Sequence, residues 1–167
     1  NPDFIFGLTN MFSYKSWDLN LMIAGSVGGQ TMDATYENIE NLDAVFNVRK
    51  DVINGWRSQE NPGNGEVPRT LAGTTELFRF TNSRWVYNSS YLSLRNVTLG
   101  YNFKLTNQKY FKNLRLYTSI QEALMLTKYP GMNPEVSING DNPLRLGVDQ
   151  TAYPVPRTFS FGLNANF

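Results

Sequence analysis

Arg157-Thr158-Phe159-Ser160-Phe161-Gly162-Leu163-Asn164-Ala165-Asn166-Phe167 alternates between apolar and polar or small side chains from Thr158 to the end. Successive side chains of a strand point to opposite faces. Phe159, Phe161, Leu163, Ala165 and Phe167 therefore share one face, and Thr158, Ser160, Gly162, Asn164 and Asn166 the other. A tilted strand of ~9–11 residues is long enough to cross a bilayer. The stretch stops on an aromatic ring with no polar tail to solvate it. As an open edge in water, such a strand invites aggregation. As the closing stave of a membrane barrel, it would meet lipid.

Four further segments carry the same period-2 signal. Phe4, Phe6, Leu8, Phe12 and Tyr14 alternate with Ile5, Gly7, Thr9, Met11 and Ser13, with Asn10 interrupting the apolar set. Trp17, Leu19, Leu21 and Ile23 alternate with Asp18, Asn20, Met22 and Ala24. Val97, Leu99, Tyr101 and Phe103 alternate with Thr98, Gly100 and Asn102, and the parity slips between Leu94 and Val97, as a bulge or as the strand's exit from an apolar zone. Leu114, Leu116, Thr118 and Ile120 alternate with Arg115, Tyr117, Ser119 and Gln121.

The links between these five strands alternate short and long. Lys15-Ser16 joins the first pair and the Lys104–Asn113 stretch the third and fourth; the links around Gly25–Ser90 and Thr127–Pro156 are long. Outer-membrane barrels combine short periplasmic turns with long extracellular loops, and this order puts the C-terminus on the periplasmic side. Phe12, Tyr14, Trp17, Tyr101, Phe103 and Phe167 all fall at the short-turn end, where an interfacial aromatic girdle belongs. A soluble β-sandwich also alternates along its strands and stays open as an alternative, although it rarely needs a long loop after every second strand. Single-chain bacterial barrels have an even strand count of at least eight, so a barrel reading requires the remaining strands to lie upstream of Asn1 or on another chain.

Composition excludes several chemistries. The 167 residues contain no Cys and no His, which removes disulfides, thiol nucleophiles, Ser-His-Asp triads and ordinary zinc sites. Fifteen Lys and Arg balance fourteen Asp and Glu, so nothing steers the chain toward nucleic acid. Aromatics reach 14%, while charged residues are only 17%, below the ~25% of average soluble domains. No apolar run reaches the ~18 residues of a transmembrane helix, which does not argue against strands that bury alternate residues. There is no initiator Met and no secretory signal at Asn1, so the chain is expected to be a processed product or a piece of something longer.

Within the first long link, Ile39, Leu42, Val45, Phe46, Ile53 and Trp56 recur at three- and four-residue spacing, which predicts a helix over Tyr36–Trp56 capped by Thr35. Gln59–Arg69 reads as a Pro/Gly/Asn-rich loop, and Val67–Thr75 has no assignable pattern. Glu37, Glu40, Glu60, Glu66 and Glu76 form no acid/base pair and read as solvated loop charges. Asn139-Gly140-Asp141-Asn142-Pro143 is a turn without the acidic spacing of a calcium loop. These residues predict neither a catalytic site nor a metal or cofactor.

Four motifs, in order, resemble the SusC/RagA family of TonB-linked (TonB-dependent) outer-membrane transporters of Bacteroidetes. Tyr153-Pro154-Val155-Pro156-Arg157-Thr158-Phe159-Ser160-Phe161-Gly162-Leu163 resembles the family's ending, and Tyr91 through Tyr101 its "YLRLKNLTLGY" strand. Thr127-Lys128-Tyr129-Pro130-Gly131-Met132-Asn133-Pro134-Glu135 resembles its "TKYxGxxPE" loop, and Asn1 through Leu8 its "NPxxxxGL" strand start. Together they cover most of the chain apart from the first long link. The chain departs from the family at Gln121-Glu122-Ala123-Leu124-Met125-Leu126, where the family reads close to "QNLFTF", and this unsettles the local turn geometry.

The resemblance implies an all-β fold: about five C-terminal strands of an antiparallel barrel of ~22 strands, with two long extracellular loops, the first containing a short helix. It implies import of glycans or peptides with a SusD-like lipoprotein, driven through TonB by a plug and TonB box outside these residues. Outer-membrane lipid would meet the apolar face. Ser160, Gly162, Ala165 and Phe167 resemble the C-terminal signal read by the barrel-assembly machinery through strand addition, with Phe167 alternatively a plain girdle residue. Trp56, Trp85, Tyr87 and Tyr129 lie in the expected extracellular loops, where their rings would contact a glycan or peptide, or pack against other loops or the lipoprotein. A secreted β-sandwich carbohydrate-binding module using Trp56 or Trp85 as a platform is the competing reading.

Overall fold

The computed structural model describes residues 1–40, 47–67, 69, 83–105, 110, 112–138 and 147–167. In chain order its strands are β1 (Pro2–Tyr14), β2 (Trp17–Gly28), β3 (Gln30–Asp33), β4 (Val86–Asn88), β5 (Tyr91–Phe103), β6 (Asn113–Thr127), β7 (Val148–Asp149) and β8 (Thr158–Asn166), with a helix α1 (Ala34–Ile39) after β3. The chain divides into two units. One is a sheet unit of Asn1–Gln30, Asn88–Pro134 and Tyr153–Phe167, and the other a loop unit of Thr31–Tyr87 and Glu135–Ala152.

The sheet unit is a five-stranded meander in the order β1-β2-β5-β6-β8, every neighbouring pair antiparallel. All five alternating segments of the sequence are strands of it. Residues paired across antiparallel strands share a face, so the register decides whether the apolar sets merge. They do. Phe12, Leu19, Leu99, Thr118 and Phe161 form one rung, and Tyr14, Trp17, Tyr101, Leu116 and Leu163 the next toward the short turns. The opposite face carries Asn20, Thr98, Ser119 and Ser160 in one rung.

The parity slip in β5 is a bulge. Met22 pairs with Asn96 and Ile23 with Leu94, which leaves Arg95 as an extra residue against β2. On its other side, Leu94 pairs with Leu124 and Asn96 with Gln121, so β6 inserts one residue more. Glu122 takes the left-handed conformation there, at φ +49°. The stretch Gln121–Leu126, where the family pattern fails, is therefore continuous strand with a second bulge in it. Arg95 and Glu122 pair at 2.9 Å, and Arg157 Nε donates to the Glu122 carbonyl at 3.3 Å. The two bulges have a simple effect on facing. Beyond them Leu92, Leu94, Leu124 and Leu126 continue the apolar face rather than turning into the polar one.

At the short-turn end, Lys15 at φ +56° makes the tight reversal between Tyr14 and Trp17. The Trp17 and Tyr101 rings meet edge to face at 4.8 Å, and Tyr101 and Phe103 at 4.9 Å. This is the expected aromatic cluster.

In the loop unit the helix is shorter than the sequence pattern predicts. It covers Ala34–Ile39 and stops at Glu40; 41–46 lie outside the described residues, and Lys50–Asn54 is a separate 3-10 turn. Gly55 and the Pro/Gly-rich stretch behind it end any helical continuation. Thr35 is not the cap. The Asp33 carboxylate accepts from the amides of Thr35 and Tyr36 at 2.9 and 3.1 Å, as an N-cap does. The Thr35 hydroxyl instead accepts from the Thr151 amide at 2.8 Å. The small sheet β4-β3-β7 pairs β3 parallel to β7 through Met32↔Val148 and Asp33↔Asp149.

Candidate functional site

The apolar face of the large sheet is open. Phe159, Phe161 and Leu163 are 61%, 84% and 60% exposed. Among the described residues, the buried hydrophobic side chains are Val67, Trp85 and Tyr129, none of them on that face. A β-sandwich would cover its apolar face with a second sheet. Here nothing among the described residues of the sheet unit covers it, and rows of exposed Phe, Leu, Tyr and Trp of this extent mark a surface built for lipid or another apolar partner.

The polar face is organised by charge near the short turns. Asp18 on β2 and Arg115 on β6 are not on adjacent strands; they reach each other across β5. Arg115 Nε donates to Asp18 Oδ1 at 3.0 Å and Nη2 to Oδ2 at 2.5 Å, while Asn102 Nδ2 donates to Oδ1 at 2.8 Å. Gly100 makes the crossing possible, because a Cβ there would lie 2.4 Å from Arg115 Nη2 and 2.6 Å from the Asp18 oxygens. The same device recurs on the next strand pair. A Cβ on Gly162 would meet the Tyr117 ring at 2.3 to 2.5 Å. Gly162 thus seats Tyr117, whose ring in turn lies 5.1 Å from the Arg115 guanidinium. Of the other three C-terminal residues singled out in the sequence, Ser160 pairs with Ser119 on the polar face and Ala165 with Leu114 on the apolar one, and Phe167 is exposed just past the end of β8.

The four loop aromatics are not brought together into one platform. Trp85 is 1% exposed with the Arg84 guanidinium 5.1 Å from its ring. Tyr129 is 5% exposed, and a Cβ on Gly131 would strike its ring. Both rings are covered. Trp56 and Tyr87 are half-buried, and Arg69 lies 5.2 Å from the Trp56 ring.

Tyr87 lines a cavity of about 590 Å³ in the loop unit, together with Glu40, Asp51, Asn54, Glu66 and Arg84. Burial, followed by the charges of Glu40 and Asp33, pushes the Tyr87 hydroxyl above its ordinary pKa. Its ring meets Tyr36 edge to face at 5.8 Å, and Arg49 stacks 4.4 Å over Tyr36.

Glu40 is the correction among the carboxylates. It is not a solvated charge but is 8% exposed, with Arg49 at 3.3 Å on one oxygen and Arg84 at 2.8 Å on the other. A buried carboxylate needs such partners, and no periodicity in the sequence announces them because they come from two separate loop segments. Glu60 and Glu66 are exposed as expected. The side chains of Glu37 and Glu76 lie outside what is described, and so does the Asn139–Pro143 turn. No cluster of metal-ligating side chains occurs among the described residues.

An antiparallel sheet with one lipid-compatible face, one polar face, an aromatic girdle and long loops at one end defines an outer-membrane β-barrel wall. No family model matches the chain. Relatives do. TonB-dependent receptor P3 of Formosa agariphila is 36% identical over 99% of the chain, and TonB-dependent receptor SusC of Bacteroides thetaiotaomicron 26% identical over 99%. The chain spans 16% and 15% of those receptors' lengths. The RagAB peptide importer in its closed-closed state superposes at a TM-score of 0.78 with 23% identity, covering 100% of this chain and 17% of that one. Its open-open state superposes at 0.77. The chain belongs to the SusC/RagA family of TonB-dependent receptors.

Proposed function

We propose that these residues are the C-terminal part of the barrel of an outer-membrane, TonB-dependent importer of glycans or peptides. The single observation that carries this reading is the continuous exposed apolar face, opposed by a polar face, across β1, β2, β5, β6 and β8. In that setting the polar rungs face a wet lumen and the long links lie at the extracellular mouth. A SusD-like lipoprotein would cover that mouth, and TonB would act through a plug outside these residues. Trp56 and Tyr87, with their half-exposed rings, are the substrate contacts of this reading, the polar cavity beside Tyr87 supplying carboxylate, amide and guanidinium hydrogen-bonding groups. Trp85 and Tyr129, whose rings are covered, take packing roles rather than substrate contacts. Ser160, Gly162, Ala165 and Phe167 serve the barrel-assembly machinery, with Gly162 also seating Tyr117. The reading contains no enzymatic step.

The test is the native polypeptide extracted from outer membranes in detergent and run unboiled and boiled, paired with uptake of labelled oligosaccharide or peptide in cells with and without TonB. Heat-dependent mobility and TonB-dependent uptake are the expected results. A water-soluble product with no mobility shift would overturn the proposal in favour of a secreted carbohydrate-binding sandwich.

A further inference from the structure

The long-loop end of the sheet unit holds a groove of about 580 Å³ at the tips of β2, β5 and β6, within the ~300–1,000 Å³ of ordinary ligand clefts. Its lining includes Val27, Leu92 and Leu126, all exposed and all on the apolar parity of their strands. At the other end of the sheet the apolar face of β2 and β5 is aromatic, with Trp17, Tyr101 and Phe103; here that of β2, β5 and β6 is aliphatic. Aromatic rings suit the mixed chemistry of the interface, whereas branched aliphatic side chains match an acyl chain.

Charge is equally one-sided. Of the ten lining residues Lys128 is the sole charged one. It is exposed and makes no hydrogen bond or ion pair with the described residues. It sits two residues beyond Leu126, the last apolar side chain of β6. The Asn88 side chain, also exposed, accepts from the Ser90 amide at 2.8 Å through its oxygen, and its amide nitrogen makes no hydrogen bond with the described residues. A lysine at the margin of an apolar surface extends its ammonium to the headgroup level, and basic pockets at that level hold anionic headgroups.

We propose that this groove is a specific site for an outer-leaflet lipid: an acyl chain lies along Val27, Leu92 and Leu126, and Lys128 with the Asn88 amide holds a headgroup phosphate. The occupant is a phosphorylated glycolipid of the lipid A type, because the groove continues the lipid-facing wall at the end where the long loops emerge. The inference rests on the proposed orientation, in which that end is extracellular.

Two measurements on the intact receptor separate the two ideas. Lys128→Cys, in a chain segment without cysteine, is probed on whole cells with a membrane-impermeant maleimide, and labelling above the parent receptor is the expected result. Lack of labelling in intact cells, with labelling after lysis, would refute the orientation itself. Lipid A retention is then measured by native mass spectrometry for the wild type, Lys128→Glu, Lys128→Ala and, at the short-turn end, Lys15→Ala. The expected outcome is at least a tenfold loss of lipid A in both Lys128 variants and none in Lys15→Ala, with heat-dependent mobility preserved in all. Dephosphorylated lipid A should bind the wild type as weakly as lipid A binds Lys128→Glu. Surface labelling at position 128 with unchanged retention in both Lys128 variants overturns the lipid site and leaves the barrel reading intact. Equal loss in Lys15→Ala would reduce it to nonspecific charge.

Discussion

Placing an arginine at Phe161 tests which face of the sheet meets lipid. On β6 the apolar face runs from Leu114 to Leu126, twelve residues apart. With ~3.4 Å of rise per residue and a strand tilt of ~40°, this is ~31 Å along the membrane normal, enough for the ~25 Å apolar band of an outer-membrane barrel. Phe161 pairs with Thr118, four residues from Leu114, which places it ~10 Å from the short-turn margin and ~5 Å from the middle of the span. A cationic side chain on the lipid face costs ~2–4 kcal/mol at the midplane and ~0–1 near the interfaces, so Phe161→Arg should cost about 2–3 kcal/mol. Phe161 is 84% exposed, so the loss of contacts within the sheet contributes little. The comparison is Asn164→Arg, on the polar face of the same strand and opposite Arg115. Like charges across a rung cost ~0.2–1 kcal/mol there, partly offset because Arg115 is already engaged by Asp18. Urea titration of the intact receptor in liposomes should separate the two variants by at least about 1 kcal/mol. Equal destabilisation, or a larger effect from Asn164→Arg, would refute the assignment of faces.

Three further outcomes follow from particular contacts. Gly100→Val should separate Asp18 from Arg115 and lower stability by ~1.5–3 kcal/mol, the range for hydrogen bonds to charged groups, whereas Gly7→Ala, with only a carbonyl oxygen at 4.0 Å, should be close to silent in the same titration; equal losses would dismiss a stabilising role for the Asp18–Arg115 pair. Asp33→Ala should cost the α1 turn ~0.5–2 kcal/mol, seen as faster amide exchange at Thr35 and Tyr36, and Thr35→Val should leave those two amides slow; the reverse pattern would restore Thr35 as the cap. Tyr87 should ionise above the ordinary tyrosine range, read as the ultraviolet difference between the wild type and Tyr87→Phe across an alkaline titration. Its raised folded-state pKa means that the stability it contributes is complete below the unfolded value of ~10 and is lost as pH rises through the folded value; ionisation at or below ~10 would contradict the buried, acid-flanked position.

The sheet was legible in the sequence because a two-sided strand leaves an unambiguous signature: Phe159 through Phe167 alternates without a fault. The extent of each strand was less legible. β2 runs on to Gly28, although its alternation was read to Ala24 and the long link was expected from Gly25. A period-2 reading loses the phase of β5 at Arg95, where an extra residue enters, and it has no term for a residue at φ +49° such as Glu122. In the loop unit, apolar spacing over Tyr36–Trp56 suggested one long helix, but Asp33 fixes the start two residues earlier, and the helix ends at Ile39. Spacing alone could not distinguish a helical stripe from side chains gathered by tertiary packing. Glu40 was illegible for a related reason: its partners Arg49 and Arg84 are set by loop geometry, and they stand nine and forty-four positions away in sequence.

Gly162 shows how a residue legible in the sequence can have two physical reasons for being there. As part of the terminal Ser160-x-Gly162-x-x-Ala165-x-Phe167 pattern it belongs to an assembly signal, while in the sheet it is the slot that receives the Tyr117 ring. The two reasons make opposite predictions for a double substitution. If Gly162 serves packing alone, Gly162→Ala lowers the yield of heat-modifiable barrel in the outer membrane, and adding Tyr117→Ala restores it, because the added Cβ then has space. If the assembly machinery reads the small residue directly, the double variant stays as poorly assembled as Gly162→Ala. Additive loss in the double variant would point to separate contributions from ring and glycine. Restoration by Tyr117→Ala is the result expected from the close approach of the ring to the Gly162 backbone, and a failure to restore would transfer the role of Gly162 from the folded sheet to the pathway that builds it.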